Sequence, residues 1–235
     1  MKILNININD FGGPENHRED FKNKLGNDKY IQEWDKLDKK ETINSFISKI
    51  DEYKPDIIII QEYDINSTEC QDIFVPLMRK KGYILKSVQP KTRPSMTVFF
   101  VKNGLGDKDI STGHLRNGRA YAIQVNDLVI YGTHVPPSGD VESFWKEINN
   151  FVQEFKNNKL LLIGDFNTVN FKNNKALDNL LENPIHKIHK IWSHEGCNTP
   201  GDYVLANFDI NQDGIDYFPT KAITDHEFGV VITTD

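Results

Sequence analysis

Apolar residues recur along this chain in two rhythms, one strand-like and one helical. Residues 2–9 alternate apolar and polar, with Ile6 and Ile8 on one face and Asn5, Asn7 and Asn9 on the other, which predicts a strand. From Glu41 to Tyr53 the positions Ile43, Phe46, Ile47, Ile50 and Tyr53 repeat at helical spacing, and Pro55 closes the helix. Cys70 to Lys81 reads as a second amphipathic helix. Asp140 to Lys156 reads as a third, capped by Asp140 and facing inward through Val141, Phe144, Trp145, Ile148, Phe151, Val152 and Phe155; Lys175 to Leu181 makes a short fourth. Between them lie two unbroken apolar runs, Ile57 to Ile60 and Leu160 to Ile163, suited to strands covered on both faces. Further strands are expected over Tyr83 to Val88, Met96 to Val101, Tyr121 to Val125, Leu128 to Thr133 and Gly229 to Thr233, with Tyr121 to Val125 and Leu128 to Thr133 forming a hairpin around Asn126-Asp127. Strands interleaved with helices make a mixed α/β domain, and 235 residues suffice for one core. Residues 10–40, charged and opening on Gly12-Gly13-Pro14, interrupt the pattern and read as a loop or lid insertion in a single 1–235 domain.

Composition narrows this picture at three points. No apolar run is long enough to span a bilayer, and the first strand lacks the apolar block of a signal peptide, so a cytoplasmic monomer is the expectation. Cys70 and Cys197 lie far apart with neither metal-ligand spacing nor a disulfide framework. The net charge of −6 hides an asymmetry: Arg79 to Arg119 holds ten basic residues against Asp107 and Asp109. That basic middle, with Arg93, Arg116 and Arg119 in its loops, could meet phosphates, or could be an ordinary solvated face.

Polar residues gather where the apolar strands end. Leu160 to Ile163 runs into Gly164-Asp165-Phe166-Asn167, in which Gly164 lets the chain turn and a carboxylate and a carboxamide follow two residues apart. Ile57 to Ile60 ends in Gln61-Glu62, Leu128 to Thr133 in His134 ahead of Pro136-Pro137, and the first strand carries Asn7. Thr224-Asp225-His226 opens the last strand. Each has an ordinary structural explanation alone: an Asx turn, a surface glutamate, a structural histidine.

In order, Asn7, Gln61-Glu62, Thr133-His134, Gly164-Asp165-Phe166-Asn167, Asp202-Tyr203 and Thr224-Asp225-His226 resemble the motif set of the endonuclease/exonuclease/phosphatase (DNase I-like) superfamily over nearly the whole chain. The sequence departs from that pattern at Ile6, where the family commonly has Trp, at Thr224 in place of Ser, and at Gly201 in place of Ile. Ile215-Asp216-Tyr217 matches the Asp-Tyr motif more closely than Gly201-Asp202-Tyr203 does. Asp216, however, lies only 9 residues before Asp225, too few for a strand, loop and return strand, whereas Asp202 lies 23 before it.

The resemblance implies a four-layer α-β-β-α sandwich, two mixed β-sheets packed face to face with helices outside. It also implies a metal-dependent phosphoesterase. Glu62, Asn7 and Asp225 would hold a magnesium ion, with manganese as a substitute; His226, oriented by Asp202, would act as general base. Asp165 would position water or assist the leaving group, and is the rival candidate for the base. Asn167 and His134 would donate to phosphate oxygens, and Arg93, Arg116 and Arg119 would bind substrate. A nuclease acting on DNA or RNA is the leading expectation. A phosphatase or phosphodiesterase on inositol phosphates, phospholipid headgroups or nucleotides is the alternative, and a non-catalytic nucleic-acid-binding module the minor one.

Overall fold

The computed structural model of the chain describes residues 1–13, 23–26, 33–34, 36–87, 95–110, 118–193 and 201–234. Its twelve described strands form two six-stranded sheets. The first contains β1 (Lys2–Asn7), β2 (Ile57–Asp64), β3 (Tyr83–Lys86), β4 (Ser95–Lys102), β11 (Ile215–Pro219) and β12 (Phe228–Thr233), in the order β11-β12-β1-β2-β4-β3. The second contains β5 (Lys108–Asp109), β6 (Ala120–Val125), β7 (Leu128–His134), β8 (Lys159–Asp165), β9 (His189–Ser193) and β10 (Asp202–Ala206), in the order β5-β6-β7-β8-β10-β9. Each sheet has one parallel pair, β1 with β2 and β7 with β8, at its centre. The two parallel crossovers carry α1 (Lys40–Tyr53) and α3 (Val141–Glu154); α2 (Val75–Lys80) and α4 (Phe171–Leu181) complete the outer layers.

Side-chain alternation sorts the strands into three apolar layers. Ile3, Ile57, Ile59, Phe99, Ile123, Ile130, Leu161, Ile163, Val204 and Ile232 pack between the sheets. The alternate residues Leu4, Ile6, Ile58, Ile60 and Phe100 pack outward against Ile43, Phe46 and Ile50 of α1 and Met78 of α2. On the far side, Val129, Tyr131, Leu160 and Leu162 pack against Phe144, Ile148 and Phe151 of α3 and Leu177 and Leu180 of α4. This is the four-layer sandwich that the motif resemblance implied. It also explains the unbroken apolar runs in β2 and β8, whose two faces enter different cores.

Differences from the sequence reading have local causes. Asn9 is not on the first strand: β1 stops at Asn7, and Asn9, Asp10 and Phe11 take left-handed backbone angles. The second amphipathic helix begins as a π-turn, Cys70–Phe74, before α2. α4 starts at Phe171, four residues before the predicted start, because Asn170 caps it by accepting from Lys172 N at 2.8 Å. β9 and β11 are edge strands of mixed polarity, which carry no periodic signal. Parts of the 10–40 segment lie outside the described residues, but its ends are fastened into the core. Asp10 Oδ2 accepts from Lys39 Nζ at 2.8 Å and from Trp34 Nε1 at 2.7 Å, and both charged side chains are fully buried.

Candidate active site

The layer rule that builds the core also builds the site. Asn7 continues the inward row Ile3, Asn5; His134 continues Leu128, Ile130, Gly132; Asp165 continues Leu161, Ile163; Asp202 heads the row Val204, Ala206. Each is thus the terminal inward residue of a central strand, and the four meet at the mouth of the space between the sheets. The pairing register sets His134 opposite Asp165 and Asp202 opposite Asp165. Glu62 reaches the same place differently. By alternation it would follow Ile58 and Ile60 outward, but the β2–β4 register slips between Ile60 and Tyr63 and Glu62 adopts a left-handed φ of 53°. That bulge turns its carboxylate to Asn7 on the inward face.

Gly164 is required at the approach to Asp165. Its φ is +142°, and a Cβ there would lie 1.9 Å from the carbonyl oxygen of Thr133 on the neighbouring strand. Gly201, where the superfamily pattern has Ile, packs its backbone against Asp165: a Cβ would sit 3.0 Å from Asp165 Oδ1. The departure noted in the sequence therefore accommodates the carboxylate.

Asp165 is the hub. Its Oδ1 accepts from Asn167 N at 2.8 Å, and its Oδ2 from Asn167 Nδ2 at 3.1 Å and Asn7 Nδ2 at 3.3 Å. Asn7 Nδ2 also donates to Glu62 Oε1 at 3.1 Å, while Asn7 Oδ1 accepts from Asn9 N at 3.1 Å. His134 Nε2 lies 3.6 Å from both Glu62 Oε1 and Asp165 Oδ2. On the opposite flank, His226 Nδ1 is 2.7 Å from Asp202 Oδ2 and its Nε2 is 3.9 Å from Asp165 Oδ2. Glu62, Asp165 and His226 each offer a ligand atom, all within 4.8 Å of one another. Asp202 Oδ1 is buried with no hydrogen-bond partner among the described residues, so the acidic cluster has acceptor capacity to spare.

Three carboxylates near two imidazoles shape the charge states. Burial pushes the Asp165 carboxyl up to about 7; the nearby His226 opposes that, while Asp202 and Glu62 add to it. For His226, burial works against the charged ring, but Asp202 in hydrogen-bond contact, with Asp165 and Asp225 beyond, outweighs it and raises the ring to about 10. Through Nδ1, His226 is a donor to Asp202.

Asn7, Glu62, His134, Asp165, Asn167, Asp202 and His226 are brought together; the remaining candidates are not all placed alike. Asp225 accepts from Thr224 Oγ1 at 3.0 Å and stands outside the Glu62–Asp165–His226 group. Asn7 turns its amide nitrogen, rather than its oxygen, to the carboxylates. His226 pairs with Asp202, not with the rival Asp216, which lies on β11 and accepts from Tyr217 N. Arg93 and Arg116 lie outside the described residues. Arg119, expected to bind substrate, is 7% exposed, and its Nη1 donates to His134 Nδ1 and to the His134 carbonyl oxygen, each at 3.1 Å. The hairpin register carries the signal for this, since a two-residue turn at Asn126-Asp127 sets Ala120 opposite Thr133, and Arg119 beside His134.

The fold is the endonuclease/exonuclease/phosphatase, DNase I-like, sandwich. No model of a known protein family matches the chain, and no curated protein matches it in sequence. Solved structures do match. An endonuclease/exonuclease/phosphatase family protein from Leptotrichia buccalis superposes with a TM-score of 0.65 at 16% identity, covering 100% of this chain and 99% of that one. The human Nocturnin catalytic domain, solved with a bound sulfate anion, gives 0.61 at 16%, covering 99% and 93%. A 3′-phosphatase from Neisseria, bound to a product DNA hairpin, gives 0.61 at 13%, covering 100% and 99%.

Proposed function

We propose that the protein is a metal-dependent phosphoesterase that hydrolyses a phosphodiester, and that its substrate is DNA or RNA. The observation that carries this reading is the convergence of seven polar side chains from separate strand ends around the Asp165 carboxylate, leaving Glu62, Asp165 and His226 with ligand atoms within 4.8 Å. Buried titratable groups gathered in this way mark functional sites.

The donor set fits a hard divalent cation such as magnesium, with manganese as a substitute. Glu62 and Asp165 offer carboxylate oxygens, Asp202 Oδ1 is an acceptor with no partner among the described residues, and no thiolate is among the cluster's described groups. Bound there, the cation supplies positive charge to the phosphate and lowers the pKa of the groups facing it. Glu62 would hold it, with Asp225 as a further carboxylate close to His226. Asp202 fixes the His226 ring through Nδ1 and leaves Nε2 beside Asp165; with the ring's pKa brought down by the cation's charge, Nε2 would accept the proton of an attacking water. Asp165, bonded at both oxygens by Asn167, is held to position that water. Asn167 spends both Nδ2 hydrogens on the Val135 carbonyl, at 2.8 Å, and on Asp165 Oδ2, so it orients Asp165 and leaves His134 as the donor for phosphate oxygens.

Support for a nucleic acid comes from two sources. Val169 and Phe171 follow Asn167 within four residues and are 70% and 76% exposed, although their loop is fastened: Asn170 Nδ2 donates to the Pro137 carbonyl and Asn173 Nδ2 to those of Pro136 and Asn167. Rigid exposed apolar side chains beside a phosphate site suit an unstacked base. Proteins of the same fold include one solved on product DNA. The basic segment helps less than its composition suggests, because Arg119 is buried and Lys86 pairs with Asp107 and Asp109.

A panel of plasmid, single-stranded DNA, RNA, inositol phosphates, phospholipid headgroups and nucleotides, assayed with magnesium, manganese and chelator, tests the reading. Cation-dependent cleavage of nucleic acid supports it. Phosphate release from an inositol or nucleotide substrate alone would replace the substrate class, and nucleic-acid binding without turnover would replace the enzyme by a binding module.

A further inference from the structure

We propose that Arg119 is a positioning residue that decides which ring nitrogen of His134 carries the proton, holding the imidazole as the Nε2–H tautomer with that N–H turned into the site. The two residues face each other across the β6–β7 hairpin, where His134 N donates to the Arg119 carbonyl at 2.8 Å. Arg119 Nη1 uses both of its hydrogens on His134, one to Nδ1 and one to the main-chain oxygen, at 3.1 Å each. From the other sheet, Thr97 Oγ1 donates to the Arg119 carbonyl at 2.8 Å and Thr97 N to the Gly118 carbonyl at 2.7 Å.

A guanidinium has donors and no acceptor, so a contact of this length with Nδ1 needs a lone pair on that atom. A proton on Nδ1 would set two donors against each other 3.1 Å apart. The neutral ring then carries its hydrogen on Nε2, the atom 3.6 Å from both Glu62 Oε1 and Asp165 Oδ2. The opposite tautomer is penalised there too, since it would aim a lone pair at two carboxylate oxygens. Both ends of the ring thus select one state, as a hydrogen bond to one imidazole nitrogen sets the protonation of the other.

The oxygens that His134 Nε2 faces are the same two that Asn7 Nδ2 bridges from the other strand end. His134 and Asn7 form a pair of donors clasping Glu62 and Asp165. On the phosphoesterase reading, on which the functional consequence rests, His134 presents its Nε2–H to the site as a donor, with Nδ1 turned to Arg119. Arg119 serves that role without touching substrate.

Two-bond 1H–15N correlation spectra of the histidine rings test this directly, with His134 assigned by its loss in His134→Gln. In the wild type at neutral pH, Nδ1 is expected to be unprotonated and Nε2 protonated; a protonated Nδ1 would overturn the proposal without any variant at Arg119. In Arg119→Met, folded by circular dichroism, Nδ1 is expected to gain a proton and kcat to fall about 10- to 100-fold with KM little changed. Arg119→Lys, which keeps a charged donor, is expected to retain the wild-type spectrum and part of the rate. An unchanged His134 spectrum in Arg119→Met would refute the role of Arg119. A wild type that shows the expected spectrum but hydrolyses no phosphoester would sink the enzymatic reading and leave the tautomer assignment standing.

Discussion

The two sheets are built around the same unit, a parallel strand pair joined by a helical crossover, yet they reach the site by different means. In the second sheet, β7 and β8 end in register at His134 and Asp165, the crossover is residues 135–158, and ordinary strand alternation turns both side chains inward. In the first sheet, the crossover between β1 and β2 is residues 8–56, about twice as long. Three consecutive left-handed residues, Asn9 to Phe11, lie just past the end of β1, and Glu62 arrives through a left-handed bulge. The second sheet delivers His134 and Asp165 by the regular pleat, as the first does Asn7, but the first delivers Glu62 by local backbone strain that the surrounding core must hold. The lesson is that the strain at Glu62 brings inward a side chain that regular alternation would have sent to the outer layer.

The largest expected effects separate the halves by what each supplies. Asp165→Ala, in the regular half, is expected to lower kcat by about 10³- to 10⁴-fold at saturating cation, and His226→Ala by a similar factor, with the fold retained by circular dichroism. Substantial turnover in a folded His226→Ala protein would remove it as the base. Glu62→Gln, in the strained half, is expected to show instead as a cation requirement raised about 100-fold. If Glu62→Gln and Asp165→Ala behaved identically in a cation titration, this division of labour would be wrong.

Next in size is the anchor of the long crossover. Lys39 and Asp10 form a fully buried ion pair, and Lys39→Met leaves Asp10 its hydrogen bond from Trp34 while removing the buried charge that faces it. A loss of about 3–5 kcal/mol in urea unfolding is expected. The matching loop in the second sheet is held by neutral asparagine bonds, so Asn170→Ala is expected to cost only about 1 kcal/mol.

The smallest effect depends on pH. The folded-state pKa of His226, about 10, lies above its ordinary 6.5, so its contribution to stability is full below pH 6.5 and is lost as pH rises through about 10. Asp165, raised from 3.8 to about 7, has the same sign over the lower window. In chelator, the stability gap between wild type and His226→Ala is therefore expected to shrink from pH 6.5 to 10, by about 1–2 kcal/mol. A gap that widened with pH would contradict the Asp202–His226 pairing as drawn.

The same contrast between regular and strained halves explains what is legible in the sequence. Asn7, His134 and Asp165 can be read because each ends an apolar strand on a face that alternation identifies, and Asp202 is separable from Asp216 because a strand and its return need room. Glu62 can be placed at a strand end but not on a face, since a bulge leaves no mark in apolar periodicity. The charge of Arg119 suggests a substrate contact, whereas its contact with His134 is readable only from the hairpin register that sets the two opposite each other. The Asp10–Lys39–Trp34 cluster is invisible because charged residues in an aperiodic segment read as solvated. Val169 and Phe171 draw no notice because nothing in their spacing says that they stay uncovered.

The most direct test of the central claim, that strand ends from both sheets build one cation-binding phosphate centre, is a calorimetric titration of the chelator-treated protein with manganese. One stoichiometric binding event is expected in the wild type, lost in Glu62→Gln, weakened in Asp165→Asn and unchanged in Asp216→Asn, which alters the competing motif on β11. A wild type that binds no cation, or a Glu62→Gln protein that binds as the wild type does, would contradict it.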